Sequence, residues 1–197
     1  MIEKVVNRIS RSITYVIPTG TDKECWLVDC GDKIDDILEQ GWFVKGVLLT
    51  HSHVDHIYGL NRLVEVFPDA LVYTNEYGKE GLLNPRVNFS KYHTDLVNFV
   101  FTKPDNIKVL RVEGVSAFDV GFEVEVMFTP GHVPDCISYR IGNCVFTGDA
   151  YIKGEKTNTG FPRSDKEKAS ESLERLIALE SNGYEMMCGH PERSVTE

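Results

Sequence analysis

Apolar and polar positions along the first half of the chain follow the periods of short strands and helices. Residues 13–17 and 25–30 are β-branched or apolar runs on either side of the polar stretch Gly20-Thr-Asp-Lys23, which predicts a β-hairpin. Apolar runs predict further strands at 47–50 and 70–74. Apolar residues at helical spacing predict helices at 32–40, 55–67 and 76–83.

The second half begins with an irregular polar segment and then returns to strands. Residues 84–106 are polar with scattered aromatic side chains, which indicates a lid or a substrate loop. Strands are predicted at 108–112, 122–129, 138–141, 143–147 and 184–188, and a helix capped by Ser164 or Asp165 runs to about residue 179. This order predicts an α/β fold with two sheets covered by outer helices, a four-layer αββα sandwich. No linker or repeat interrupts it, so residues 1–197 are predicted to form one domain.

Composition and charge narrow the class of protein. Of the 197 residues, 42% are hydrophobic and 26% are charged, and no apolar run approaches the roughly 20 residues of a membrane span. The first twenty residues lack the apolar core of a secretory signal peptide, so secretion is not expected. A net charge of −9 argues weakly against nucleic acid and anionic membranes as partners. The expected partner is a small-molecule substrate. The five cysteines form no CxxC motif, which favours buried thiols and a cytoplasmic location. The number of subunits stays open.

Four strand ends carry residues that bind metals. The hexad His51-Ser-His-Val-Asp-His56 directly follows an apolar strand, where ligand sites on α/β sheets tend to lie. Three later motifs repeat the order of strand, small residue and ligand: Thr129-Pro-Gly-His132, Thr147-Gly-Asp149 and Cys188-Gly-His-Pro191. Glycine permits the sharp turn that directs a side chain across the strand ends. Seven imidazole and carboxylate ligands are therefore predicted to meet in one place.

In these motifs the chain resembles the metallo-β-lactamase-fold hydrolase superfamily, especially its small, glyoxalase-II-like members. The similarity covers five motifs in order, from Asp29 to His190. It implies the αββα fold and two divalent metal ions, with zinc first and iron or manganese as alternatives. By that pattern His51, His53 and His132 hold one metal, Asp55, His56 and His190 hold the second, Asp149 bridges the two, and Asp29 orients a ligating histidine.

The resemblance also implies a reaction. A hydroxide held between the two metals would attack an ester-like carbonyl, while Asp55 binds the second metal and orients or accepts a proton. A thioester of the S-acylglutathione type is the leading substrate class. The alternative is a persulfide dioxygenase that uses one iron held by two histidines and one aspartate, a subset of the same ligands. A metal-stabilised binding module is a third alternative, although structural zinc sites are normally closed and four-coordinate.

Several positions depart from the glyoxalase II pattern or stay open. Those enzymes carry a C-terminal helical domain that helps to bind glutathione, and the sequence after His190 shows no counterpart, so glutathione recognition is expected to differ. Candidate substrate contacts are Tyr151, Lys153 and Arg163, the last of which could instead form a salt bridge at the next helix. Asp135 occupies a turn where the family often has small residues, and His93 is interpreted as a surface or lid residue.

Overall fold

The first sheet is built by the amino-terminal half of the chain. The computed structural model describes residues 1–20, 23–115 and 120–192. Six strands lie side by side in chain order: β1 (Glu3–Val6), β2 (Ile13–Pro18), β3 (Glu24–Val28), β4 (Phe43–Leu48), β5 (Leu71–Thr74) and β6 (Ile107–Val109). The pairs among β1, β2 and β3 are antiparallel, and those from β3 to β6 are parallel. Parallel neighbours need crossovers, and these contain α1 (Ile34–Glu39), α2 (Val54–Ile57), α3 (Leu60–Val66) and α4 (Glu76–Leu83).

The second sheet is built by the carboxy-terminal half. Its strands are β7 (Gly114–Val115), β8 (Glu125–Phe128), β9 (Ile137–Ile141), β10 (Cys144–Gly148) and β11 (Glu185–Cys188), in the spatial order β11-β10-β9-β8-β7. Only β10 and β11 are parallel, and α5 (Lys166–Ser181) connects them. The Asp165 carboxylate accepts hydrogen bonds from the backbone N–H groups of Glu167 and Lys168. Asp165, rather than Ser164, therefore caps this helix.

Three apolar clusters stack these elements into four layers. Alternate residues of β2 face opposite ways: Tyr15 and Ile17 join the cluster between the sheets, whereas Val16 joins the cluster beneath the outer helices of the first sheet. A third cluster packs Leu176 of α5 against the outer face of the second sheet. The predicted αββα sandwich is confirmed. None of the helices in the described ranges has the length and apolar character needed to cross a membrane.

The structure differs from the sequence prediction in a few elements. The helix predicted at 55–67 is divided into α2 and α3 at Tyr58 and Gly59, because the backbone there bonds to Cys30. The Gly59 N–H donates to the Cys30 carbonyl at 2.9 Å. Glycine also leaves room for the Gly31 carbonyl oxygen, which lies 2.2 Å from where a Cβ would be. The predicted strand at 122–129 is only Glu125–Phe128, and β1 is an unpredicted edge strand of alternating exposure. The hairpin of β2 and β3 is confirmed, although Thr21 and Asp22 of its turn lie outside the described residues.

Candidate metal centre

All seven predicted ligands lie just beyond strand ends, at one edge of the two sheets. The hexad follows β4 and enters α2, while His132, Asp149 and His190 follow β8, β10 and β11. Glycines allow the close approach of these segments. Gly148 has a φ of +50°, and a Cβ at Gly189 would lie 2.5 Å from Asp149 Oδ1. The order of strand, glycine and ligand thus brings distant parts of the chain to one place.

The side chains form two groups of potential metal ligands. Within each group the ligand atoms lie no more than 4.8 Å from one another. The first group is His51, His53, His132 and Asp149, and the second is Asp55, His56 and His190. This division of the residues is the one implied by the sequence resemblance.

Asp149 lies between the two groups and presents one oxygen to each. Its Oδ2 is 3.6 Å from His132 Nε2 and 3.9 Å from His51 Nε2. Its Oδ1 is 3.3 Å from His190 Nε2 and 3.5 Å from His56 Nε2. This carboxylate is therefore positioned to link two cations that occupy the two groups.

Three histidines are oriented through the ring nitrogen that faces away from the centre. The Nδ1 of His56 lies 2.8 Å from Asp29 Oδ2, that of His132 lies 2.7 Å from the Asn158 carbonyl, and that of His190 lies 3.1 Å from the Ser10 carbonyl. An oxygen acceptor at Nδ1 fixes the proton there and leaves Nε2 with a lone pair toward the centre. Asp29 thus contacts a predicted ligand in the manner expected of an orienting carboxylate.

The arrangement fits divalent cations. Two pairs of ring nitrogens face each other, His53 Nδ1 with His132 Nε2 at 3.2 Å and His56 Nε2 with His190 Nε2 at 3.3 Å. Such separations suit two imidazoles on one tetrahedral cation with nitrogen–metal lengths of about 2.0–2.1 Å. Among the described residues, the buried atoms His51 Nε2 and Asp149 Oδ1 have no hydrogen-bond partner. A cation in each group would satisfy both atoms.

The electrostatics also favour bound cations. Burial lowers the pKa of His51 well below its usual value and lowers the pKa of His53 to about 3, so both rings are neutral. At His56 burial opposes the charged form, but the neighbouring carboxylates, Asp55 first, outweigh it and raise the pKa. In the metal-free protein the charged form of His56 therefore offsets only part of the negative charge of these buried carboxylates. Bound cations would supply the compensation.

The match to a family model decides the relationship to known proteins. The model of the metallo-beta-lactamase superfamily matches residues 8–190. The chain belongs to the metallo-beta-lactamase superfamily. A cluster of histidines and aspartates that binds metal is typical of this superfamily.

Two curated relatives resemble the chain at modest identity. A probable metallo-hydrolase, YqgX of Bacillus subtilis, is 31% identical over 89% of this chain and 84% of its own length. A hydroxyacylglutathione hydrolase of Francisella philomiragia is 27% identical over 77% of this chain. The matched region covers 52% of that relative, so the chain spans about half of it.

Solved structures share the superfamily fold over nearly the whole chain. The BLEG-1 B3 metallo-beta-lactamase superposes with a TM-score of 0.85 at 25% identity, covering 97% of this chain and 92% of that one. TTHA1623 in a di-iron-bound form superposes with a TM-score of 0.79 at 25% identity, covering 96% and 92%.

None of the three predicted substrate contacts is in the lining of the metal cleft. Tyr151 donates a 2.8 Å hydrogen bond from its hydroxyl to Glu180 of α5, and Lys153 Nζ lies 3.3 Å from the same carboxylate. Both side chains are directed toward α5, whereas Ile152 between them lines the metal cleft. Arg163 pairs with Glu80 of α4 at 2.9 Å, so its salt bridge is not to the helix that follows it. The sequence supplied positions close to Asp149 but not the directions of the side chains.

Asp135 contacts the ligand hexad directly, a role that the sequence left open. Its carboxylate is 4% exposed and accepts a 2.7 Å hydrogen bond from the Ser52 N–H, between His51 and His53. Its backbone carbonyl accepts a hydrogen bond from Asn75, which caps α4. Asp135 therefore ties the hexad to the turn that carries His132. Only its departure from the family's small-residue turn signalled a special role.

Phe89 and Phe161 at the cleft were not singled out from the sequence, whereas His93 was interpreted as a surface or lid residue. The cleft above the metal centre encloses about 850 Å³, and its lining includes Phe89, His93 and Phe161. The ring centroid of Phe161 lies 4.8 Å from that of His53 and 5.1 Å from that of His132. These rings shield the first ligand group from solvent. Only the scattered aromatic residues of the 84–106 segment indicated such a role.

Proposed function

We propose that the chain is a metal-dependent hydrolase with two divalent cations, zinc foremost, and that it cleaves an ester-like bond, with S-acylglutathione thioesters as the leading substrate class. The observation that carries this proposal is the position of Asp149, whose two oxygens face two separate groups of ligands. A structural zinc site is normally closed and tetrahedral, whereas two linked groups beneath an open cleft suit catalysis.

The side chains divide the tasks of such a site. In the proposal, His51, His53 and His132 hold one cation, Asp55, His56 and His190 hold the other, and Asp149 holds both. When bound, two divalent cations lower the pKa of water toward about 7 and polarise a carbonyl oxygen. Asp29 keeps the proton of His56 on Nδ1.

Asp55 is suited to hold a proton near the reacting groups. Its Oδ2 lies 3.4 Å from His190 Nε2 and 3.6 Å from His56 Nε2. Burial is the largest influence on its pKa, which is raised above the usual value of a carboxyl group. In the proposal one oxygen of Asp55 holds the second cation, which would keep the carboxylate ionised, and the other oxygen is free to orient a water or to accept its proton.

The choice of substrate rests on the relatives and the form of the cleft. Curated relatives include a hydroxyacylglutathione hydrolase and a probable metallo-hydrolase. The cleft is lined by polar residues such as Arg11 and Asn158 and by apolar residues such as Ile152. It has room for a peptide-like thiol. Water activated by the two cations would be the nucleophile, so the reaction needs no serine or cysteine nucleophile.

The deciding experiment combines metal analysis with two assays. Protein purified without added metal is analysed for metals and then assayed for hydrolysis of S-lactoylglutathione and for oxygen uptake with glutathione persulfide. We expect two metals per chain and release of glutathione. Asp149→Asn should abolish hydrolysis, while the exposed Asp69→Asn should leave it unchanged.

Two outcomes would overturn the proposal. Oxygen consumption with a single iron per chain would assign the persulfide dioxygenase reaction instead. Normal hydrolysis by a folded Asp149→Asn variant would refute the bridging role. Thermal unfolding of each variant distinguishes lost chemistry from lost folding, because metal binding and folding are coupled.

A further inference from the structure

An apolar groove adjoins the metal cleft where two loops meet. It encloses about 650 Å³ between the segment after α4 and the segment before α5. Its lining includes Arg86, Val87, Phe89, Tyr92, Phe161 and Arg163. None of these side chains belongs to the two groups of metal ligands.

Two aromatic rings separate the groove from the metal centre and belong to both cavities. Phe89 and Phe161 line the groove as well as the cleft, and their ring centroids are 5.2 Å apart. Each ring also contacts His53, at 4.9 Å for Phe89 and 4.8 Å for Phe161. A group that extends from the metal centre past these rings enters the groove directly.

The groove has features of a ligand site rather than of a surface irregularity. Tyr92 is 65% exposed and contributes a large apolar ring that no other element covers in the described structure. Phe89 and Arg163 hold positive φ angles of 66° and 73°. Bulky residues rarely adopt this conformation, and it persists where the surroundings impose it, often at ligand clamps.

The charged residues in the groove lining are Arg86, Arg163 and Asp135, and the Asp135 carboxylate already accepts the Ser52 N–H. Arg163 is paired with Glu80 at 2.9 Å and lies over the Tyr77 ring. Arg86 is exposed, and no carboxylate among the described residues pairs with its guanidinium. An unpaired guanidinium at the rim of an apolar groove favours a carboxylate with a hydrophobic body, because arginine binds carboxylates bidentately.

We propose that this groove binds the acyl group of the substrate, and that the acyl group is apolar, aryl or branched, and ends in a carboxylate held by Arg86. The inference rests on the proposed function, since a polar thiol such as glutathione matches the polar cleft and leaves the apolar groove for the acyl part. An acyl group that fills the groove should be preferred to a small one such as lactoyl, because filling it removes water from the apolar walls.

The test compares two acyl groups that differ by one carboxylate. Glutathione thioesters of phenylacetate and of 4-carboxyphenylacetate are assayed with the metal-loaded protein and with Arg86→Gln. We expect Arg86→Gln to lower kcat/KM for the carboxylated thioester by about tenfold or more, the size of a lost charged hydrogen bond, and to leave the uncharged thioester nearly unchanged. Lys91→Gln, a neighbouring exposed cation outside the groove lining, is the matched control and should affect neither.

A binding measurement separates the groove from the hydrolytic reaction. Calorimetry follows the binding of 4-carboxyphenylacetate itself to the native protein, to Arg86→Gln and to Tyr92→Ala, and both variants should bind more weakly. If binding depends on Arg86 but no thioester is hydrolysed, the proposed function fails and the groove stands. If thioesters are hydrolysed at rates indifferent to the acyl group and to Arg86, the function stands and the groove assignment is overturned.

Discussion

Replacing Asp29 by asparagine tests how the orientation of His56 controls metal binding. Asp29 Oδ1 accepts a 2.8 Å hydrogen bond from the Thr50 N–H, and Oδ2 lies 2.8 Å from both Thr50 Oγ1 and His56 Nδ1. Asparagine keeps the shape but turns one acceptor into a donor. Either the Thr50 N–H loses its acceptor, or the amide donates to His56 Nδ1 and moves the ring proton to Nε2.

Both outcomes have a cost of known size. A buried donor without an acceptor costs about 1–3 kcal/mol, so the metal-free variant should lose that much free energy of unfolding. Loss of a partner that orients a metal ligand typically weakens metal binding about 10–100-fold. We expect one of these two losses in Asp29→Asn, depending on which way the new amide faces, because Asp29 and His56 are almost completely buried and little water can substitute.

The assay is a competition with a chelator of known zinc affinity, combined with denaturant unfolding of the metal-free protein. Asp35→Asn is the control, since Asp35 forms an exposed salt bridge with Arg62 that should contribute at most about 1 kcal/mol. The competition is run at a pH where the His56 ring is neutral in both proteins. Loss of the Asp29 charge then does not change how protons compete with the metal for His56. Unchanged metal affinity and stability in Asp29→Asn would refute the reasoning.

Four further changes have defined outcomes. Asp135→Ala leaves the buried Ser52 N–H of the hexad without its acceptor and should weaken metal retention. Asp135→Asn keeps an acceptor and should retain the metal better than Asp135→Ala does. Equal loss of metal to a chelator in the two variants would contradict this role. Gly189→Ala places a Cβ 2.5 Å from Asp149 Oδ1 and should reduce bound metal from two ions per chain, measured by elemental analysis. Carboxylates raise the pKa of His56 against the effect of burial, so in the metal-free protein the charged ring stabilises the fold at low pH, and this stabilisation is lost as the pH rises through the raised pKa. Metal affinity should rise over the same pH interval, because the neutral ring is the ligand. A metal affinity that does not change with pH would contradict this prediction. Cys144 is the one partly exposed thiol and should be alkylated first, before Cys25, whose pKa burial raises to about 12; mass spectrometry of the native protein checks the order.

Local sequence patterns were sufficient for the order of elements and for the metal-binding motifs. The hexad and three glycine-ligand turns each lie directly after a strand, and strand ends are recognised from apolar periodicity. The helix break at Gly59 was not predicted, because it goes with backbone hydrogen bonds to Cys30, which is distant in the sequence. The edge strand β1 was not predicted because it has only four residues, and polar and apolar residues do not alternate in it: Lys4 and Val6 are exposed, and Glu3 and Val5 are half-buried.

The sequence by itself determined which residue types can bind metal and how the strands deliver them, because ligand chemistry and strand periodicity are local properties. Only the tertiary structure decided the directions of side chains that depend on distant partners. Tyr151 and Lys153 are close to Asp149 in sequence but bind Glu180 of α5, which follows Tyr151 by 29 residues. Asp135 contacts the hexad, and Phe89 meets Phe161 beside His53, through contacts between segments that are far apart in the chain. Such contacts arise from the packing of the two sheets and their helices, and no periodicity within one segment encodes them.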